Sequence, residues 1–282
     1  MHPVQEPGQD PLRSDRAAVP EDDRRGLGQA LREERQELAV TGFYDEDLAY
    51  IHHTGFTDLI DGAGPEVLRW IHSFGIDGGR LLDLGCGSGT FARLATEAGF
   101  EVLGADLSPA MIELAREVAP QAEFRCQSLF DLALPRARVV TMLGEGLNYC
   151  AGGEPDDRRV DELFARIHAA LEPGGLLAFD VIVADDREPM HGTNGRAGVD
   201  WAVISAISED LDAGHLIRTI TAFREVDDHY RRSDEVHVVR VFEASALAML
   251  LKAHGFEVEV SPCYGIYPLL PRRRAFLAHM ES

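Results

Sequence analysis

The run Leu81-Leu-Asp-Leu-Gly-Cys-Gly-Ser-Gly-Thr90 constrains the fold more than any other part of the chain. Its apolar start reads as a short buried strand. Three glycines follow at alternate positions, Gly85, Gly87 and Gly89, and Phe91 to Ala98 then reads as a helix. Glycine tolerates positive φ and has no Cβ, so the strand can turn sharply into the helix and a ligand can lie against bare backbone.

The spacing narrows the ligand. A dinucleotide fingerprint needs a third glycine at position 90, where the chain has Thr90; the pattern present is Asp-x-Gly-x-Gly-x-Gly, headed by Asp83. A second strand, Glu101 to Asp106, ends in an acid about twenty residues past the first glycine, where a carboxylate can accept two hydrogen bonds from a ribose diol. Ser108 then reads as a helix N-cap with Pro109 at the first helical position.

The glycine loop, Asp106 and the run Leu171-Glu-Pro-Gly-Gly-Leu-Leu177, in that order, resemble class I S-adenosylmethionine-dependent methyltransferases. The resemblance covers about Phe43 to His279. It implies an α/β fold: a doubly wound, mostly parallel seven-stranded sheet with an antiparallel last strand, to which the sequence adds a small antiparallel β insertion. The implied cofactor is S-adenosylmethionine. Gly85, Cys86, Gly87 and Gly89 would pack against its methionine part, Asp83 would position its ammonium group, and Asp106 would take the ribose. Leu107 and Met111 would lie beside the adenine, with Ser128 and Leu129 at its amino group and face; Leu143 and Tyr50 complete the expected cofactor set. Many relatives carry an acid before the fourth strand. Here Arg138 stands there, so that role does not transfer.

Lid and acceptor residues follow from position. Phe43 to Phe56 mixes aromatics, acids and two adjacent histidines on a helical period, and helices before the first motif commonly form a lid in the resembled family. Tyr44 is expected to touch the methyl acceptor, and His53 or His52 to serve as general base, with His191 a third candidate. Residues 143–149 follow the fourth strand at the carboxyl edge of the sheet, which makes Glu145, Asn148 and Tyr149 acceptor contacts; Tyr264, in a late connection, is another. Gly64 to Phe74 is apolar at helical spacing, with Pro65 expected in its first turn.

The organisation read from texture is a flexible tail over 1–38, helical from 25 to 37, and a methyltransferase domain over 39–282 with lid helices at 39–75. Residues 184–200 read as a polar loop at the cleft. The β-rich runs of 198–243, broken by hairpin loops near Gly214 and His229, read as a three-stranded insertion serving as a wall of the acceptor pocket, a plain cover or a homodimer contact.

Composition closes off other classes. A formal net charge of -21 would repel a nucleic-acid backbone, so no nucleic-acid partner is expected. Four scattered cysteines without a C-x-x-C pair suit free thiols in a reducing compartment, with no metal site. The chain has no basic-then-apolar leader and no apolar run long enough for a membrane span, so a cytoplasmic protein without a membrane partner is expected. Two alternatives to a small-molecule N-, O- or C-methyltransferase stay open at this stage: a non-catalytic binder of S-adenosylmethionine or S-adenosylhomocysteine, and a nucleotide-cofactor oxidoreductase.

Overall fold

The computed structural model describes residues 43–149, 157–184 and 188–280. The expected tail over 1–38, with its helix, lies outside the described residues, as does Cys150.

In chain order the elements are α1 (Glu46–Gly55), α2 (Asp58–Ser73), β1 (Gly79–Leu84), α3 (Thr90–Glu97), β2 (Phe100–Asp106), α4 (Pro109–Val118), β3 (Glu123–Cys126), β4 (Ala137–Met142), α5 (Asp157–Ala170) and β5 (Leu171–Ile182). Four strands follow: β6 (His191–Ala197), β7 (Trp201–Asp210), β8 (His215–Val226) and β9 (His229–Arg240). The chain returns through α6 (Ala244–Ala253), β10 (Phe256–Ser261), the short pair β11 (Cys263–Tyr264) and β12 (Tyr267–Pro268), and β13 (Arg273–Met280).

The main sheet has seven strands in the order β10-β13-β5-β4-β1-β2-β3, parallel except for β13, which runs antiparallel to both neighbours. The expected sheet is therefore present. Alternation along each strand divides the core in two. Leu82, Leu103, Val140 and Leu177 face α5 and α6, meeting Leu163, Phe164 and Leu251. Leu81, Val102, Val139 and Leu176 face α2, α3 and α4, meeting Val67, Phe91 and Ile112. Each large side chain buried in this way contributes about 1.5–3 kcal/mol, so the sheet is held from both faces. The topology also aligns the carboxyl ends of β1, β2, β4 and β5 along one edge, where ligands bind in sheets of this kind.

Three local expectations change. The helix expected from Gly64 begins at Asp58, so Pro65 lies in the interior of α2 rather than in its first turn. The insertion is a four-stranded sheet, β6-β7-β8-β9, because the expected polar loop over 184–200 contains β6. All seven residues of β6 are exposed; the strand pairs with β7 along its whole length yet buries neither face, so it carries no hydrophobic alternation to read. The late connection contains the β11–β12 hairpin. The turn between β8 and β9 is made by Asp227 and Asp228, both at positive φ (50° and 63°), as a tight two-residue hairpin requires.

Candidate functional site

The loop after β1 is built by backbone chemistry. Gly85, Gly87 and Gly89 have φ of 75°, 52° and 77°. The Gly85 and Cys86 amides both donate to Ala105 O, which fastens the loop to β2. A Cβ on Gly89 would sit 2.9 Å from Ala115 Cα, whereas one on Gly87 would meet nothing within 4 Å. Gly89 is thus needed for helix packing, and Gly87 borders open space. Asp106 ties the next loop to this one: its Oδ2 accepts from the Gly87 amide at 2.9 Å and its Oδ1 from the Ser108 amide at 2.9 Å.

Asp83 stands at the centre of this arrangement. Its Oδ1 accepts from Thr141 Oγ1 at 2.9 Å, while its Oδ2 is buried with no hydrogen-bond partner among the described residues. Burial, with a smaller contribution from the Asp106 charge, pushes its pKa up to about 7. A buried carboxylate oxygen without a donor is costly. An ammonium group would relieve that cost, so the donor set fits the methionine end of S-adenosylmethionine. Leu107, 43% exposed beside Asp106, offers an apolar surface suited to an adenine.

A second polar cluster occupies the same edge, after β4 and β5. Asp180, buried within apolar β5, accepts from the Gly144 and Glu145 amides (2.9 and 3.2 Å) and from the Tyr264 hydroxyl (3.1 Å). That grip holds Glu145 at a φ of 68°, an uncommon conformation for a residue with a side chain. The Glu145 carboxylate is buried between two guanidiniums, Arg273 on Oε1 and Arg218 on Oε2, the latter at 2.7 Å. Although burial opposes ionisation, Arg273 and Arg218 together hold its pKa below the usual glutamate value. Arg218, from β8, also donates to the Tyr149 hydroxyl (3.1 Å), which pairs with the Tyr44 hydroxyl (3.0 Å).

Helix α1 and the residues just before it touch both loops and the insertion. His53 Nδ1 on α1 lies 3.0 Å from Ser88 Oγ in the glycine loop. Ser108 Oγ caps α4 by accepting from the Met111 amide, and donates to Tyr44 O at 2.6 Å. Glu235 on β9 accepts from the Tyr44 and Asp45 amides and is paired with His237 Nε2 at 2.7 Å. Further along, Arg231 grips Asp47, and Leu48 and Ile51 pack with Trp201 and Ile220. Helix α1 and the insertion are therefore joined by ion pairs and apolar packing. The His52 ring lies edge-on to Tyr44, and burial drives its pKa down to about 4, so it is neutral at physiological pH.

Several expected residues have other work. Cys86 is in the core beside Phe124 and Gly104, with its thiol pushed well above the ordinary value by burial; only its backbone belongs to the loop. Met111 is buried at the start of α4. Ser128 Oγ accepts from the Phe130 amide, and Leu129 and Leu143 join the two main cores. Tyr50 is turned to the insertion, donating to Asp200 at 2.7 Å with the Arg224 guanidinium 3.8 Å above its ring. Asn148 is fully buried and stitches Ile182 and Arg240, and Tyr264 spends its hydroxyl on Asp180. His191 lies on exposed β6 opposite Ser208, on the face of the insertion away from Arg218, which removes it from the cluster.

Asp180, Arg218, Arg273, Glu235 and His237 are absent from the sequence-level candidates. Asp180 had one local signal, as the lone acid in the apolar run 176–183. A separate open groove of about 790 Å³, lined in part by Arg80, Arg93 and Arg125, lies at the amino ends of β1 to β3. Those arginines are already paired with Glu101, Glu97 and Glu123. Among the described residues no helix is long and apolar enough to cross a membrane, and no three His, Cys, Asp or Glu side chains are grouped to hold a metal.

Comparison with known proteins agrees with this geometry. Residues 63–260 match the family model described as a methyltransferase domain. The YqeM protein of Bacillus subtilis (strain 168), whose assignment as a methyltransferase is itself provisional, is 27% identical over 226 residues, covering 76% of this chain and 84% of the relative. Among solved structures, a sugar N-methyltransferase from Streptoalloteichus sp ATCC 53650 superposes with a TM-score of 0.70 at 19% identity, covering 86% of this chain and 97% of that one. An amino pentose methyltransferase from Micromonospora echinaspora, solved with S-adenosylmethionine bound, superposes with a TM-score of 0.65 at 21% identity, covering 85% and 98%. At those identities the superpositions speak for the fold.

Proposed function

Since the chain belongs to the class I S-adenosylmethionine-dependent methyltransferases, we propose that it methylates an amine or hydroxyl of a small polar acceptor held between the Glu145 loop, the lid and the inner face of the insertion. The observation that carries the cofactor half of this reading is the partnerless buried oxygen of Asp83 beside a glycine loop tied to Asp106. Asp83 would receive the ammonium group, Asp106 the ribose hydroxyls and Leu107 the adenine. Bound there, S-adenosylmethionine supplies a methyl group already activated by its positive sulfur.

The residues of this chain then have three tasks. The lid and the paired tyrosines, Tyr44 and Tyr149, exclude water and hold the acceptor in line, which is where much of the rate of such a transfer comes from. The cluster of Glu145 and Asp180 with Arg218 and Arg273 sums to no net charge, so it orients hydrogen bonds without favouring an anionic acceptor. His52 and His53 are the proton acceptors for a nucleophile that arrives protonated. His52 is uncharged at neutral pH and lies beside Tyr44; His53 has one ring nitrogen committed to Ser88.

One structural neighbour named above is a sugar N-methyltransferase and the other an amino pentose methyltransferase, which makes amino sugars the first acceptors to try. The test incubates the purified chain with S-adenosylmethionine and a panel of amino sugars and their nucleotide conjugates. The expected result is release of S-adenosylhomocysteine with a product about 14 mass units heavier, the difference between CH₃ and H. Cofactor binding without acceptor-dependent release across the panel would overturn the amino-sugar assignment.

A further inference from the structure

The register of the main sheet chooses the neighbours of Asp83. Asp83 on β1 lies beside Thr141 on β4 and Gly104 on β2, and the same row runs on to Ala178 on β5 and Phe124 on β3. Alternation puts this row on the side toward α2, α3 and α4, because Leu81, Val139 and Leu176, two residues earlier on their strands, belong to that core. Thr141 is the one polar residue between Val139 and Leu143, and it is fully buried. A hydroxyl in such a place is costly unless it is hydrogen-bonded.

That hydroxyl is spent on Asp83. Thr141 Oγ1 donates to Asp83 Oδ1 at 2.9 Å; the other oxygen in reach, Leu82 O, is at 3.4 Å. A threonine side chain is stiff about χ1, so its branched Cβ and the strand fix the direction of this bond. With Oδ1 held, Asp83 keeps Oδ2 as its free oxygen, buried and without a hydrogen-bond partner among the described residues. The titratable groups facing the carboxyl are Asp106 at the end of β2 and the Cys86 thiol of the loop. Burial opposes ionisation of Asp83, the Asp106 charge does so more weakly, and the Thr141 bond favours the charged form. Among the described residues, Thr141 is thus the group that helps Asp83 hold a negative charge.

We propose that Thr141 is a positioning residue for the cofactor: its bond to Oδ1 fixes the Asp83 carboxylate with Oδ2 turned to the ammonium group of S-adenosylmethionine. This role rests on the placement of that ammonium group at Asp83 given above. Without the hydroxyl, the carboxyl is free to turn about χ2 and takes up a proton more readily. A neutral carboxyl makes a weaker hydrogen bond to an ammonium group than a charged one does. The sheet does not depend on the hydroxyl, since valine has the shape of threonine and suits a buried strand.

The test measures the affinity of wild type and Thr141→Val for two ligands by calorimetry, from about pH 6 to about pH 8.5, a range that spans the Asp83 value of about 7. S-adenosylhomocysteine carries the ammonium-bearing end; 5′-methylthioadenosine keeps the adenosine and lacks that end. At about pH 6.5, Thr141→Val should bind S-adenosylhomocysteine about tenfold more weakly or worse, the effect of losing a hydrogen bond to a charged group. It should bind 5′-methylthioadenosine as wild type does. The S-adenosylhomocysteine deficit should narrow as pH rises, because losing a bond to the charged form raises the Asp83 pKa and the variant ionises later. Thr141→Ser restores the hydroxyl and should recover the affinity and the pH midpoint together. Thr141→Ala carries the same test if Thr141→Val does not fold. No deficit, an equal deficit for both ligands, a deficit constant with pH, or a Thr141→Ser variant that recovers nothing would each overturn the role of Thr141 and leave Asp83 in place. Wild-type affinity for S-adenosylhomocysteine that is flat with pH would remove Asp83 from the ammonium site, and Thr141 with it.

Discussion

Arg218 on β8 places its Nη2 2.7 Å from Oε2 of Glu145, on the loop after β4, and so ties the insertion to the edge of the main sheet that binds ligands. Both side chains are largely buried, and the carboxylate has a second guanidinium, Arg273, on its other oxygen. Arg218→Met leaves Glu145 buried with one partner. Breaking a buried pair from one side costs about 3–5 kcal/mol, and the remaining arginine should hold the loss toward the lower figure. Urea unfolding of the variant checks this. Because Glu145 has a depressed pKa in the folded state, its contribution is fully present above the ordinary glutamate value and is lost as pH falls through the folded one. The wild-type advantage over Arg218→Met should therefore shrink in acid.

Gly87 and Gly89 separate packing from binding in one loop. Gly89→Ala puts a methyl 2.9 Å from the Ala115 backbone at a φ of 77°, and two such strains together cost about 2–4 kcal/mol of stability. Gly87→Ala, at a φ of 52° with open space around it, should cost about 1 kcal/mol in the apo protein. Its methyl points into the space assigned to the cofactor, so calorimetry should show a loss of S-adenosylmethionine affinity larger than the loss of stability. Equal affinity in wild type and Gly87→Ala would mean that the ligand does not lie there.

Asp106→Ala should weaken S-adenosylmethionine binding by more than tenfold, since a carboxylate that would receive two ribose hydroxyls is removed, a loss above about 1.4 kcal/mol. The same change frees the Gly87 and Ser108 amides, which can turn to water because Asp106 sits at the rim of the core. The circular dichroism spectrum should stay that of the wild type. Unchanged affinity by calorimetry would sink the ribose assignment.

How much of this was legible in the chain follows from distance along it. The glycine loop, Asp83 and Asp106 announce themselves because a strand end, a turn and a helix start are local patterns. Ser108 as a cap was readable for the same reason. Arg218, Arg273 and Glu235 were not, because each acquires meaning only from a residue that the topology brings close, Glu145 for the two arginines and the Tyr44 amide for Glu235. The structural partners of Asn148 and Tyr264 were hidden for the same reason: their polar groups bond to buried backbone and to Asp180, which sequence spacing cannot reveal. Strand β6 escaped because a strand with both faces in solvent has no period of two.

Asp83 and His52 give the protein two opposed pH dependences, and single variants should separate them. Asp83 has its pKa raised from 3.8 to about 7 by burial, so between those values the folded protein keeps a proton that the unfolded chain has lost. Stability then falls as pH rises through that window, by up to about 4 kcal/mol if the whole shift is expressed. His52 has its pKa lowered from 6.5 to about 4 by burial, so between those values the unfolded chain binds the extra proton and stability rises with pH. The two slopes overlap from about pH 4 to pH 6.5 and partly cancel in the wild type. Asp83→Asn removes the first slope: urea midpoints should exceed wild type above pH 7 and rise more steeply than wild type up to pH 6.5, while affinity for S-adenosylmethionine drops with the lost carboxylate. His52→Gln removes the second, so its midpoints should decline from acid to neutral pH. In the wild type, S-adenosylmethionine should bind more tightly as pH rises through about 7, because the ammonium group prefers the ionised Asp83. Calorimetry from pH 6 to pH 8 checks that directly; affinity that is flat across the range, or that falls, would remove Asp83 from the ammonium site.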